Sequence, residues 1–131
     1  MKFHLDRPDG RNLITGYGPG YIAVNGERRT TSLLVLADQL AEWEVSSQDS
    51  LTLAAFGRLA ALPIEILLLG TGDRLRFPHP SLTQPLRDAG IGVEVMDTGA
   101  ACRTYNILLA EDRRVGAALM LKSLPEAAPA G

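Results

Sequence analysis

Two short stretches hold the residues best suited to chemistry: Gly70-Thr71-Gly72, and Asp97 to Asn106, DTGAACRTYN. Glycines let backbone N–H groups approach a phosphate, and a helix start after Asp97 would add its own free N–H groups. Arg74, Arg76 and Arg103 are near enough in sequence to supply positive charge. Cys102, the single cysteine, falls about one turn into that helix, where the helix dipole and Arg103 would favour the thiolate, the nucleophilic form. Asp97 could bind a ligand or act as a base, and Tyr105 and Asn106 fall on the helical face of Cys102. The sequence therefore outlines a crevice of Gly70, Thr71, Gly72, Arg76, Asp97, Thr98, Arg103, Tyr105 and Asn106 for a small anionic ligand, with Cys102 as its candidate catalytic residue.

Each of these residues also has a packing explanation. GTGDRLRF has no third glycine and runs into Arg-Phe-Pro, so it fits neither the dinucleotide fingerprint nor the GxxxxGK(S/T) phosphate loop, and Gly70 and Gly72 then shape a tight turn. Ala100, Ala101 and Cys102 are small enough for a helix to lie close on a sheet, and free cysteine is among the most buried residue types. Asp97 can bond turn N–H groups, and the polar tips of Tyr105 and Asn106 can be satisfied in a core. A nucleophile needs a base, but His4 lies near the start and His79 in a Pro-flanked segment. There is no second cysteine for disulfide exchange, no His/Cys metal spacing and no GxSxG elbow, so no cofactor or metal is expected.

The elements that must position these residues follow from periodicity. Residues 12–37 alternate loosely with Gly and Pro breaks, and Asn25-Gly26 between Tyr21–Val24 and a polar run is a strong hairpin signal, so the chain begins as antiparallel β structure. Leu53, Phe56, Leu59 and Ala60 space as a short helix capped by Ser50 or Thr52 and stopped before Pro63, with Trp43 and Phe56 assigned to packing. Apolar IEILLLG at 64–70 suits a strand covered on both faces. Ser81 or Thr83 caps the next helix, with Pro85 in its first turn and Gly90 as its left-handed stop. A strand at 91–97, a helix from a Thr98 cap to about Ala110, and a strand in RRVGAALML complete a βαβαβ order, which implies parallel pairing of the strands at 64–69 and 91–97.

Composition sets the class. At 131 residues, 46% apolar and 21% charged, the chain can bury a core as one domain. A net charge of -2 with no basic stripe argues against nucleic acid, and the longest apolar run is too short to span a bilayer. A lone cysteine and a start without an apolar leader lead to the expectation of a cytoplasmic protein. An exposed edge in the β-rich half would allow a weak homodimer in place of a monomer.

ILLLGTG, RFP, GIGVEVMDT and AACRTYNIL, in that order, with Tyr17 to Gly26 and Trp43 before them, resemble the family of small proteins that includes mitochondrial respiratory complex I assembly factor 3 and the Mth938-like domains. The family pattern has Pro where this chain has Gly99, and Pro-Pro where it has Pro78-His79. The resemblance implies a single three-layer α/β domain around a mixed central sheet, here residues 1–122 with a loose tail at 123–131. It implies no enzymatic reaction. It points to an interaction or assembly protein with a protein partner, associated with respiratory-complex or membrane-protein biogenesis. The alternative from the residues alone is a small-molecule-binding or redox enzyme using the crevice around Cys102 and the Gly70–Gly72 loop.

Overall fold

Successive residues of the central strands are apolar because both faces of their sheet are covered. In the computed structural model, which describes residues 10–121, the chain forms β1 (Ile14–Gly18), β2 (Tyr21–Val24), β3 (Glu27–Arg29), β4 (Leu33–Leu36), β5 (Gln39–Glu42), α1 (Leu53–Ala60), β6 (Ile66–Gly70), α2 (Pro80–Asp88), β7 (Gly92–Met96), α3 (Thr98–Ala110) and β8 (Val115–Leu119). His4 and the expected tail lie outside the described residues.

The central sheet has the order β5-β4-β8-β6-β7. β6 runs parallel to both β7 and β8, while β4 is antiparallel to β8, so the sheet is mixed. Alternation assigns each side chain a layer. Leu33, Val35, Leu68, Val115, Ala117 and Leu119 face a core shared with α3 and with Ile14, Ile22 and Val24 of the β1-β2-β3 sheet. Leu36, Leu67, Leu69, Ala118 and Met120 face the other core, with Trp43, Phe56 and Leu59 of the α1 region and Leu86 of α2. The result is the expected three layers and the expected parallel β6–β7 pair. α2 and α3 cover opposite faces because the connection from β6 to β7 runs outward along the sheet and the one from β7 to β8 runs back past β6, each right-handed.

The hairpin signal holds: Asn25 and Gly26 have φ of 55° and 84°, and Val24 pairs with Glu27 across the turn. β4 and β5 are a second hairpin that belongs to the central sheet, a division the loose alternation of 12–37 does not reveal. Thr52 caps α1, its Oγ1 accepting from Ala55 N at 3.1 Å. Two caps differ from expectation. The cap of α2 is His79, whose Nδ1 accepts from Ser81 N at 3.1 Å, so neither Ser81 nor Thr83 serves and Pro80 holds the first position. Pro85 consequently lies past the first turn, and side chains from Thr83 and Arg87 bond the Pro80 carbonyl at 3.1 and 2.6 Å to hold that turn together. The cap of α3 is Asp97, not Thr98, because only the Asp97 carboxylate reaches Ala100 N, at 2.8 Å.

Candidate functional site

The two glycines of GTG have separate backbone reasons. A Cβ on Gly70 would stand 2.9 Å from Thr98 Oγ1 and 3.0 Å from Thr98 Cα, so glycine is what lets α3 start directly over the end of β6. Gly72 has φ +92°, a conformation that L side chains rarely adopt. Thr71 between them is buried and uses its hydroxyl to tie the loop: Oγ1 accepts from Arg76 N at 3.1 Å and donates to the Arg74 carbonyl.

Thr98 is the pin of this region. Its buried hydroxyl donates to Met120 O at 2.7 Å and accepts from Gly72 N at 2.8 Å, while its own N–H donates to Gly72 O at 2.8 Å. One side chain thus joins the carboxyl ends of β6, β7 and β8. These ends are where an open α/β sheet forms a crevice, between neighbouring strands whose connections leave on opposite faces. A groove of about 520 Å³ lies there.

Gly72, Asp73, Asp97, Thr98 and Gly99 form one wall of the groove, and Met120 and Leu121 also line it. The other wall is the β1–β2 turn, Tyr17-Gly18-Pro19-Gly20-Tyr21, with Ile22 behind it. Both tyrosines are held by arginines: Arg103 bonds the Tyr17 hydroxyl from α3, and the Arg28 guanidinium lies 4.0 Å from the Tyr21 ring centre. Sequence reasoning placed the first wall and missed the second. The available signal was the YGPGY string, which marks a tight turn but not the helix it faces.

Of the residues outlined from sequence, Gly72, Asp97 and Thr98 line the groove, and Gly70 and Thr71 support it from below. Arg76 is exposed on the loop and Arg103 is engaged with Tyr17, so the charged lining consists of two carboxylates, Asp73 and Asp97, which count against an anionic guest. Tyr105 and Asn106 serve elsewhere. The Tyr105 hydroxyl donates to Asn12 O at 2.9 Å, and the Asn106 amide exchanges two hydrogen bonds with the backbone of Ile14, clamping α3 to β1.

Cys102 is buried in the core between α3 and the sheets. Burial pushes its thiol from 9.0 up to about 12, outweighing the opposite pull of Arg103, with Asp97 adding to the rise. The local pull of the helix dipole and Arg103 toward the thiolate is thus outweighed by burial, in line with the packing explanation of Cys102, and the redox reading of this crevice finds no support. Burial also raises Tyr105, against Arg11 and with a smaller push from Asp38. Both acids ionise more readily in the unfolded chain; the contribution of Cys102 is present below about pH 9 and is lost as pH rises toward about 12, and that of Tyr105 is lost at higher pH still. In urea titrations the midpoint is expected to hold between about pH 6 and 8.5 and to fall beyond it, less steeply in Cys102→Ala. Iodoacetamide should alkylate the folded protein roughly 100-fold or more slowly than the denatured chain at neutral pH, and equal rates would contradict the buried thiol.

Comparison with known proteins places this geometry in a family. The family model described as a protein of unknown function (DUF498/DUF598) matches residues 14–120. The chain is 38% identical over 109 residues to NADH dehydrogenase (ubiquinone) 1 alpha subcomplex assembly factor 3 of Bos taurus, a match covering 82% of this chain and 59% of that protein. It thus spans about three-fifths of the length of that assembly factor. An uncharacterised Rhodobacter capsulatus protein is 38% identical over 116 residues, 88% of each chain. Among solved structures, a Bordetella parapertussis protein superposes with a TM-score of 0.82 at 40% identity, covering 88% of this chain and 99% of that one. A Bordetella pertussis protein described as a Mth938-like domain gives a TM-score of 0.78 at 36% identity, covering 95% and 96%. No helix among the described residues is long and apolar enough to cross a membrane. The family-model match, the relatives and the solved structures agree: the chain belongs to the DUF498/DUF598 family of Mth938-like α/β domains.

Proposed function

We propose that this chain is a non-enzymatic assembly factor that holds a protein partner during respiratory-complex or membrane-protein biogenesis, with the groove beside the Tyr17–Tyr21 turn as its contact surface. The carrying observation is the 38% identity to a protein named as a complex I assembly factor, across 82% of this chain. The site's chemistry supports the same reading. The Thr98 hydroxyl is engaged with Met120 and Gly72, the Asp97 carboxylate with Ala100, and the Tyr17 hydroxyl with Arg103. What the groove offers outward is mostly apolar shape, which suits recognition by burial.

The test is genetic and biochemical. In a strain lacking the gene, native gels of membranes should show less assembled NADH:quinone oxidoreductase and more of its subassemblies, restored by the wild-type chain. Pro19→Glu, which sets a charge on the exposed apolar lip of the groove, should restore it poorly although the protein folds. Normal levels of assembled complex in the deletion strain would refute the reading.

A further inference from the structure

The loop after β6 turns its apolar side chains outward. Phe77 is 72% exposed and Leu75 51%, and they alternate with the exposed Arg74 and Arg76. The loop is ordered by its own bonds, since the Thr71 hydroxyl grips the backbone at Arg74 and Arg76, so an exposed phenylalanine here is presented on a fixed frame. Gln48 Nε2 reaches the Arg76 carbonyl at 3.4 Å, which holds this segment toward the α1 side of the sheet. The groove opens on the α3 side, between the β1–β2 turn and the start of α3. The loop is thereby held away from its own groove, although Gly72 and Asp73 belong to both.

The two features are complementary. The loop protrudes, apolar with two cations. The groove is recessed, apolar with two carboxylates, Asp73 and Asp97, as its charged lining. A surface carrying both halves of a matching pair side by side is what a two-fold, isologous contact requires. We propose that two copies of this chain associate face to face, each placing Leu75 and Phe77 in the other's groove and setting Arg74 and Arg76 against the other's Asp73 and Asp97. This self-association does not depend on the assembly reading, but it uses the same groove, so the second copy and a protein partner exclude each other there. A single loop and groove on each side make a small interface, and small interfaces are weak.

Sedimentation velocity of the full chain tests it. Between about 5 µM and 1 mM the mass should climb from 14.1 kDa toward twice that value, the range in which a weak complex of small area dissociates. Phe77→Ser and Arg76→Glu change exposed side chains, so both should fold, shown by unchanged circular dichroism, yet stay at 14.1 kDa throughout. The pair Asp73→Lys with Arg76→Glu, which exchanges charges across the two-fold axis, should regain association. A wild-type chain that remains monomeric at every concentration overturns the proposal and leaves the loop for a different protein. A mass increase that Phe77→Ser does not alter overturns it too, because the contact then uses another face.

Discussion

Thr98→Val is expected to lower the free energy of unfolding by roughly 2–6 kcal/mol, since it strips two backbone groups of their partners at about 1–3 kcal/mol each. Valine matches threonine in shape, so little packing changes. What goes is the hydroxyl that donates to Met120 O at 2.7 Å, a buried bond, and accepts from Gly72 N at 2.8 Å, a partly buried one. Denaturant titration should therefore move the midpoint strongly, and Thr98→Ser, which keeps the hydroxyl, should recover most of the loss. The amide of Gly72 is the local reporter: its hydrogen exchange should accelerate in the valine variant more than that of strand amides in β4. A loss under about 0.5 kcal/mol would mean that the Thr98 hydroxyl does not hold the three strand ends together. The consequence reaches the groove, because Gly72 and Thr98 both line it.

This junction shows how far the sequence could be read. The run at 64–70, the strand at 91–97 and the helix between them carry local signals, namely branched apolar residues, Gly90 after a helical stretch, and an apolar period, so the parallel pair was legible. Asn25-Gly26 likewise announced its own hairpin through positive φ. The loops at the strand ends were legible as the near wall of a crevice because chain order alone places them there. The far wall was not, since Tyr17 and Arg103 meet across most of the chain and neither has a local reason to seek the other. Cys102 illustrates the same division: dipole and Arg103 are local and favour the thiolate, whereas burial comes from Ile14, Ile22 and the sheet, is non-local, and prevails. Caps fall between the two cases. Asp97 and Thr98 are both good cap residues, and which one caps depends on Thr98 being drawn under the helix to Met120.

The second large effect comes from a residue that the sequence did not single out. Asn12→Ala is expected to cost roughly 3 kcal/mol, about 1 kcal/mol for each of three side-chain hydrogen bonds in a nearly dry site. The Asn12 amide donates to Leu36 O at 2.9 Å and Gln39 O at 3.0 Å, across the β4–β5 turn, and its Oδ1 accepts from Asn25 Nδ2 at 2.9 Å. Asn25 in turn accepts from Leu13 N at 3.0 Å, so one amide pair joins the small sheet to the edge of the central one. The backbone bonds of Asn12 survive the substitution: its N–H to Ala37 O at 2.8 Å, and its carbonyl from the Tyr105 hydroxyl at 2.9 Å. Tyr105→Phe should consequently cost less, about 1 kcal/mol, by removing one bond from the same knot. Because Tyr105 bonds the backbone of Asn12 itself, the double variant should lose measurably less or more than the sum, with a coupling of about 0.5 kcal/mol or larger. Strict additivity in a double-mutant cycle would show that the amide pair and the α3 clamp act independently. Coupling would show that the β4–β5 turn, Asn25 of the small sheet and α3 are joined through Asn12 by one connected polar network.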